Sequence, residues 1–241
     1  MKFRYVTLTD VGLKRSDNED SFGVYEVEKG LLVVVCDGLG GNKAGDVASK
    51  LAVETIAKTF QNLKNIEFLE RIKLSILEAN KIVMEESSKD FDRKGMATTV
   101  ETLFLKDDTA YWGHVGDSRI YYLKDNKLKQ LSKDHSLIQK LIDEGYLTLK
   151  EAENHPNKNI IMRALGDSEN IEIDLSKLKI STTDFGKFFI CTDGVTTVLQ
   201  NDELEKILVN DNVHYISEVI ANLVEKRGAP DNFTFVIITG G

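Results

Sequence analysis

Proline and cysteine are scarce in this chain, with two of each in 241 residues. Two isolated cysteines, Cys36 and Cys191, exclude a disulfide-stapled scaffold. They form no CxxC pair, and the histidines (His114, His135, His155 and His214) are scattered, so zinc-ligand spacing is missing too. Both cysteines lie in apolar runs and are expected to be buried thiols. Positive charge is in deficit: 31 Lys and Arg against 39 Asp and Glu leave a net charge of -8, which excludes the basic footprint that nucleic acid demands. No apolar run approaches the roughly 18 residues of a membrane span. The opening MKFRYVTLTDVG has no signal-peptide core, so a soluble cytoplasmic protein is expected, engaging neither nucleic acid nor membrane. Repeats, low-complexity tracts and linkers are absent as well. With 41% hydrophobic residues, a single domain over 1–241 has enough apolar side chain for a core.

What is present is a regular alternation of patterns. Period-two or apolar runs predict strands near 3–8, 21–27 and 31–36, and an amphipathic stretch from about 45 to 88, broken near NLKN, predicts two helices. ATTVETLFL, TAYWGHVG and SRIYYLK read as three strands joined by the short polar turns KDD and GD, hence as antiparallel hairpins. Residues 136–166 begin helically and turn irregular around His155-Pro156, an insertion that suits a flap. KFFICTDGV, helical segments over roughly 201–226 and the final strand FTFVIIT complete the chain. Strands in batches around batches of helices predict an α+β fold with antiparallel sheets.

One local echo stands out. VVVCDG at 33–38 and FFICTDG at 188–194 both run from an apolar strand through Cys to Asp-Gly. Asp117, in GHVGDSRIYY, and Asp231, in GAPDNFTFVII, share that setting at strand ends. Each alone is an ordinary turn residue. Together they are candidates for one cluster, and two carboxylates ~4 Å apart repel by about 4 kcal/mol at an effective dielectric near 20, so a cluster needs a counter-charge. All-oxygen ligands suit hard divalent ions, magnesium or manganese. Near the N-terminus, KRSDNED sets Arg15 close to Glu19 and Asp20; a guanidinium grips phosphate through paired hydrogen bonds, although a surface arginine among acids needs no function.

The glycines after Asp37 fit neither common phosphate loop. A P-loop needs G-x-x-x-x-G-K-[ST], and Lys43 is not followed by Ser or Thr. A dinucleotide turn needs G-x-G-x-x-G, and Lys43 stands where the third glycine belongs. A nucleotide-binding protein is therefore disfavoured.

The segments RSDNED, VCDGLGGNKAGDVAS, GMATTV, GHVGDSRIY, LSKDHS, MRALG, CTDGV and APDNFT, in this order and over nearly the whole chain, resemble the metal-dependent protein phosphatase family, type 2C, and most of all its compact bacterial single-domain members. The resemblance implies a four-layer α-β-β-α sandwich of two antiparallel sheets flanked by helices. It implies that Asp37 bridges two metal ions, that Gly38 ligates one through its carbonyl, and that Asp193 and Asp231 complete the other. Asp117 matches the position that, with Asp193, holds a third ion. Glu19 and Asp20 match acidic positions that bind metal or its waters, and Arg15 matches the phosphate-gripping arginine. The implied activity is hydrolysis of phosphoserine and phosphothreonine in phosphorylated proteins by a metal-bridging hydroxide. The implied actor is a monomer in bacterial signalling, opposing a Ser/Thr protein kinase. A catalytically silent member that binds phosphoproteins is the alternative, and the intact Asp37, Asp117, Asp193 and Asp231 set argues against it.

Departures are few. Leu39 stands where some members have a histidine acting as general acid, and leucine donates no proton; Asn42 and Ala97 replace frequent histidine and glycine. His114, beside Trp112, reads as a packed core residue rather than an acid. Asp134-His135-Ser136 are neighbours, unlike hydrolytic triads, and Asp134 or Ser136 is expected to cap a helix.

Overall fold

The computed structural model describes residues 2–40, 44–152 and 155–241. Along the chain it forms β1 (Phe3–Asp10), β2 (Ser21–Val27), β3 (Gly30–Cys36), β4 (Gly38–Leu39), α1 (Ala44–Asn62), α2 (Phe68–Lys89), β5 (Ala97–Thr98), β6 (Val100–Lys106), β7 (Thr109–Val115), β8 (Arg119–Lys124) and β9 (Lys127–Gln130). There follow α3 (Leu137–Asp143), α4 (Leu149–Ala152), β10 (Asp174–Lys179), β11 (Lys187–Cys191), α5 (Asp193–Thr196), α6 (Asn201–Leu208), α7 (Val213–Lys226) and β12 (Phe233–Gly240). Two five-stranded sheets, in the orders β1-β12-β11-β8-β9 and β10-β7-β6-β3-β2, contain only antiparallel pairs.

The period-two patterns explain the layering. In β3, Leu31, Val33 and Val35 enter the core between the sheets, while Leu32, Val34 and Cys36 face α1 and α2. In β11 and β12, Phe188, Ile190, Val236 and Ile238 face inward, and Phe189, Cys191, Phe235 and Ile237 face α6 and α7. Strands apolar on both faces are what a sheet buried on both sides requires. The result is the α-β-β-α sandwich. Both cysteines are fully buried.

The helices follow their own signals. Ala44, Ala48, Ala52, Ile56 and Phe60 give α1 a buried stripe. The Glu67 side chain accepts from the Leu69 and Glu70 N–H groups and starts α2 just past the NLKN break. Arg71, almost wholly buried, stacks on Phe60, hydrogen-bonds the Phe60 carbonyl and pairs with Glu28 at 3.1 Å, tying both helices to the β2–β3 turn.

One expectation needs correction. β7 and β8 are not a hairpin: β7 pairs with β6 and β10 in one sheet, and β8 with β11 and β9 in the other. The GDS turn instead carries the chain across the sandwich, which its short polar sequence does not distinguish from a hairpin. Gly116, at φ +117, permits the sharp crossing. The expected cap of α3 is Ser136, its hydroxyl accepting from the Gln139 N–H at 3.2 Å, while Asp134 pairs with Arg119 at 2.7 Å. The 136–166 stretch leaves the sheets as α3, α4 and a turn over 156–159, and its ends meet at the Ser136–Ile161 bridge.

Phe104 packs between Phe60 and Phe68, with ring centroids 4.8 and 4.9 Å away, and is fully buried. Phe104→Ala should cost about 3–5 kcal/mol in urea unfolding, as large core truncations do. A loss under ~1 kcal/mol would show that this helix-facing layer does not carry the fold.

Candidate active site

Strand register brings the acids to one edge. In one sheet Ser21 pairs with Cys36 and Val100 with Val115. In the other Arg119 pairs with Cys191 and Asp10 with Phe233. The residues just beyond these ends are Asp20, Asp37, Asp117, Asp193 and Asp231. Both sheets therefore empty their acidic turns into the same cleft, and the two echoed Asp-Gly turns come from opposite sheets.

Around Asp37, close backbone approach governs the shape. The Gly38 N–H donates to the Glu19 carbonyl at 3.1 Å, and the Thr98 hydroxyl donates to the Asp37 carbonyl at 2.8 Å. A Cβ on Gly45 would stand 2.8 Å from the Glu19 carboxyl carbon and 2.9 Å from the Gly38 carbonyl oxygen. The missing side chain leaves a cradle between those two oxygen donors. Leu39 pairs with Ala97 across β4 and β5. Asn42 and Lys43 lie outside the described residues.

Asn232 ties the N-terminal acidic loop to β12. Its amide accepts from the Glu19 N–H at 2.9 Å and donates to the Val11 and Asp17 carbonyls at 2.8 and 3.0 Å. Asp20 is buried and accepts from the Thr192 hydroxyl at 2.9 Å. Arg15, on the cleft rim, pairs with Asp231 at 2.8 Å. Asn232, Thr98 and Thr192 were not singled out from the sequence, although they fall inside the quoted APDNFT, GMATTV and CTDGV segments.

The charges are badly matched. Burial first, then the charges of Asp20, Asp193, Asp117 and Asp231, push the Asp37 carboxyl well above the usual range. Burial likewise raises Asp193 to about 6, Asp20 to about 7 and Asp117 to about 8, with neighbouring aspartates adding to each. Glu19 is raised as well, mainly by burial. The Asp193 and Asp37 carboxyls are close enough to hydrogen-bond. Arg15 is the cation facing Glu19, Asp37 and Asp231.

Among the described residues, no three His, Cys, Asp or Glu side chains close on a single point as a ready-made cage. The donors nonetheless fit hard divalent cations. They are all oxygens, the Gly45 cradle holds two of them apart, and Asp117 Oδ1 is buried without a hydrogen-bond partner. Carbonyl and water ligands complete such sites, which seldom consist of protein carboxylates alone.

The hydrogen bonds of His114 and His135 go to groups other than the five aspartates of the cleft. His114 is fully buried, with Nδ1 2.5 Å from Glu101 Oε1 and Nε2 2.8 Å from the Lys133 carbonyl. His135 accepts from the Gly116 N–H at 3.2 Å, and burial lowers it to about 4, leaving it neutral. His114 is thus a packed, hydrogen-bonded residue, and Asp134, His135 and Ser136 serve three separate structural contacts.

The protein phosphatase 2C family pattern matches residues 14–232. A serine/threonine phosphatase, stp, of Listeria welshimeri is 34% identical over 236 residues, covering 95% of this chain and 93% of that protein. The Mycobacterium tuberculosis serine/threonine phosphatase PstP/Ppp superposes with a TM-score of 0.89 at 31% identity, covering 98% of this chain and 97% of that one. A catalytic domain of PstP in complex with 2 manganese ions superposes with a TM-score of 0.84 at 29% identity, over 98% and 97% of the two chains.

Raised carboxyl pKa values mean that the folded protein holds these protons more tightly than the unfolded chain, so stability present at low pH is lost as pH rises through the folded values. For Asp20 and Asp117 that loss begins above the ordinary carboxylate value of ~3.9 and is complete at about pH 7 and about pH 8. His135, lowered to about 4, works in the opposite sense, but its contribution is complete above the ordinary histidine value of ~6.5. In a chelator, the thermal midpoint should therefore fall between about pH 6.5 and 8, mostly through Asp117, and Asp117→Asn should remove much of the fall, each kcal/mol counting for ~2–4 °C. Calorimetric scans across that range check it; a wild-type midpoint that rises with pH would contradict the repulsive cluster.

Proposed function

The chain belongs to the protein phosphatase 2C family and is a metal-dependent serine/threonine protein phosphatase, and on that premise we propose that the acidic cleft between its sheets is the hydrolytic centre for phosphoserine and phosphothreonine in proteins. The observation that carries this reading is the convergence of Asp37 and Asp193 from opposite sheets onto one edge, near enough to shift each other's titration, with Asp20, Asp117 and Asp231 around them. Asp37, Gly38, Asp193, Asp231 and Glu19 would hold two divalent ions, manganese or magnesium, and Asp117 with Asp193 a third. Bound cations supply Lewis acidity, polarising phosphoryl oxygens and making water a stronger acid.

The protein's own groups do the rest. Arg15 sits half-exposed at the rim, where its guanidinium exchanges Asp231 for the phosphoryl oxygens of an incoming substrate and offers them paired charged hydrogen bonds. Asp20, buried and held by the Thr192 hydroxyl beside the other acids, is the carboxyl placed to take up or release a proton during the reaction. Neither cysteine contributes a nucleophile: burial pushes both thiols up, so no thiolate forms at neutral pH. A groove of about 460 Å³ runs from Asp117 and Asp193 past Arg119 and Gln130 to Ile138 and Leu149 of α3 and α4, so the 136–166 excursion flanks the path of a substrate chain and fits the role of a flap. Among the described residues no helix is long and apolar enough to cross a membrane. A single catalytic domain working as a monomer in the cytoplasm, opposite a Ser/Thr kinase, completes the reading.

Purified protein should release phosphate from a phosphothreonine peptide with manganese and stop when a chelator is added. Asp193→Ala should lower kcat by at least roughly a hundredfold, the scale of losing one electrostatic stabiliser. Arg15→Ala should lower kcat/KM about 10- to 100-fold, since hydrogen bonds to charged groups are worth ~1.5–3 kcal/mol. Chelator-resistant turnover that survives Asp193→Ala would sink the assignment.

A further inference from the structure

Thr99 lies between β5 and β6 and is fully buried. Its N–H donates to the Asp37 carbonyl at 2.9 Å, and its hydroxyl oxygen accepts from the Asp37 N–H at 2.9 Å, so it clasps the Asp37 backbone on both sides. The same hydroxyl is 2.9 Å from the hydroxyl of Ser118, the residue after Asp117. An oxygen that accepts from Asp37 still carries its own proton, and Ser118 stands within reach of it. Thr99 Cγ2, meanwhile, would be 2.5 Å from a Cβ on Gly116, the residue before Asp117. One small side chain thus touches both acidic turns: its hydroxyl joins them, and its methyl limits how near they come.

We infer that Thr99 is a positioning residue that yokes the Asp37 turn to the Asp117 turn and fixes the spacing of their carboxylates for cation binding. The inference rests on the assignment of the acidic cleft as the metal centre. Asp37 follows β3 and Asp117 follows β7, strands that β6 separates in one sheet, and their charges repel. Backbone strands alone set each turn's position, but only Thr99 and Ser118 join the two turns by side-chain hydrogen bonds among the described residues. Groups that orient ligands without touching the ion commonly change metal affinity ~10–100-fold when removed.

The discriminating variants are Thr99→Val, which keeps shape and drops the hydroxyl, and Thr99→Ser, which keeps the hydroxyl and drops the methyl. Ser118→Ala removes only the link to the second turn. Manganese binding to the whole chain is read by calorimetry and by the electron-spin-resonance signal of the free ion, with phosphopeptide turnover measured alongside. Thr99→Val is expected to bind manganese ~10–100-fold more weakly than wild type, Thr99→Ser within about threefold of it, and Ser118→Ala in between. A purely core-filling Thr99 predicts the reverse order, with valine harmless and serine harmful, and that result would overturn the inference. Should Thr99→Val lack a folded circular dichroism spectrum, Ser118→Ala decides: unchanged manganese binding there also overturns it. Wild type that neither binds manganese nor turns over substrate would instead bring down the assignment of the cleft itself.

Discussion

Mutual repulsion among buried carboxylates is the constraint on which this structure turns. Asp37 and Asp193 end strands of different sheets, and packing those sheets face to face brings the carboxyls close together. Nothing in the hydrophobic core objects to this arrangement; indeed Leu31, Val33, Val35, Ile190 and Val236 enforce it by burying the facing surfaces just behind the cleft. At ~4 Å a pair of like charges costs about 4 kcal/mol even at an effective dielectric near 20. That is a large part of a typical stability of ~5–15 kcal/mol. The fold therefore holds a site that is electrostatically unfavourable until cations enter it, and the energy for this comes from apolar burial elsewhere.

Neutral groups hold the acids in place. Thr98 and Thr99 bond the Asp37 peptide, Thr192 bonds the Asp20 carboxyl, and Asn232 anchors the loop carrying Glu19. Hydroxyls and amides fix geometry without adding charge, so they leave the negative potential intact for a ligand. Lysines or arginines in those places would satisfy the acids and spoil the site. Glycine contributes in the complementary way at Gly45, where the lack of a Cβ lets a carbonyl and a carboxyl face one space.

Much of this was legible in the sequence because the relevant patterns are local. The buried stripe of α1 repeats every third or fourth residue, β3 is apolar throughout, and Asp-Gly marks two strand ends. β9 and β10 were not legible: KLKQ and DLSKLK are short, lysine-rich edge strands whose lysines blunt the sheet edge and hide the alternation. The passage from β7 to β8 was misread because a two-residue polar turn has the same sequence whether it closes a hairpin or crosses between sheets. What decides it is Gly116 packed against Thr99, a contact between residues distant in the chain. The same holds for the site. The aspartates declared themselves by position, whereas their convergence, and the hydroxyls that arrange it, depend on register between strands that no local pattern specifies.

Arg15 shows how the unbalanced charge bears on function. Its pairing with Asp231 at 2.8 Å is half-exposed, with 52% and 34% of the two side chains accessible. Pairs in such surroundings contribute only ~0–1 kcal/mol, because water screens them and ordering two side chains has an entropic cost. A cation that engages Asp231 removes the reason for Arg15 to stay, and a phosphoryl group offers the guanidinium two oxygens in the geometry it matches best. On the proposed assignment, loading of the acidic cleft and recruitment of the arginine to substrate would be coupled through one weak contact. A stronger, buried pair would hold Arg15 on Asp231 and oppose both steps of that proposal.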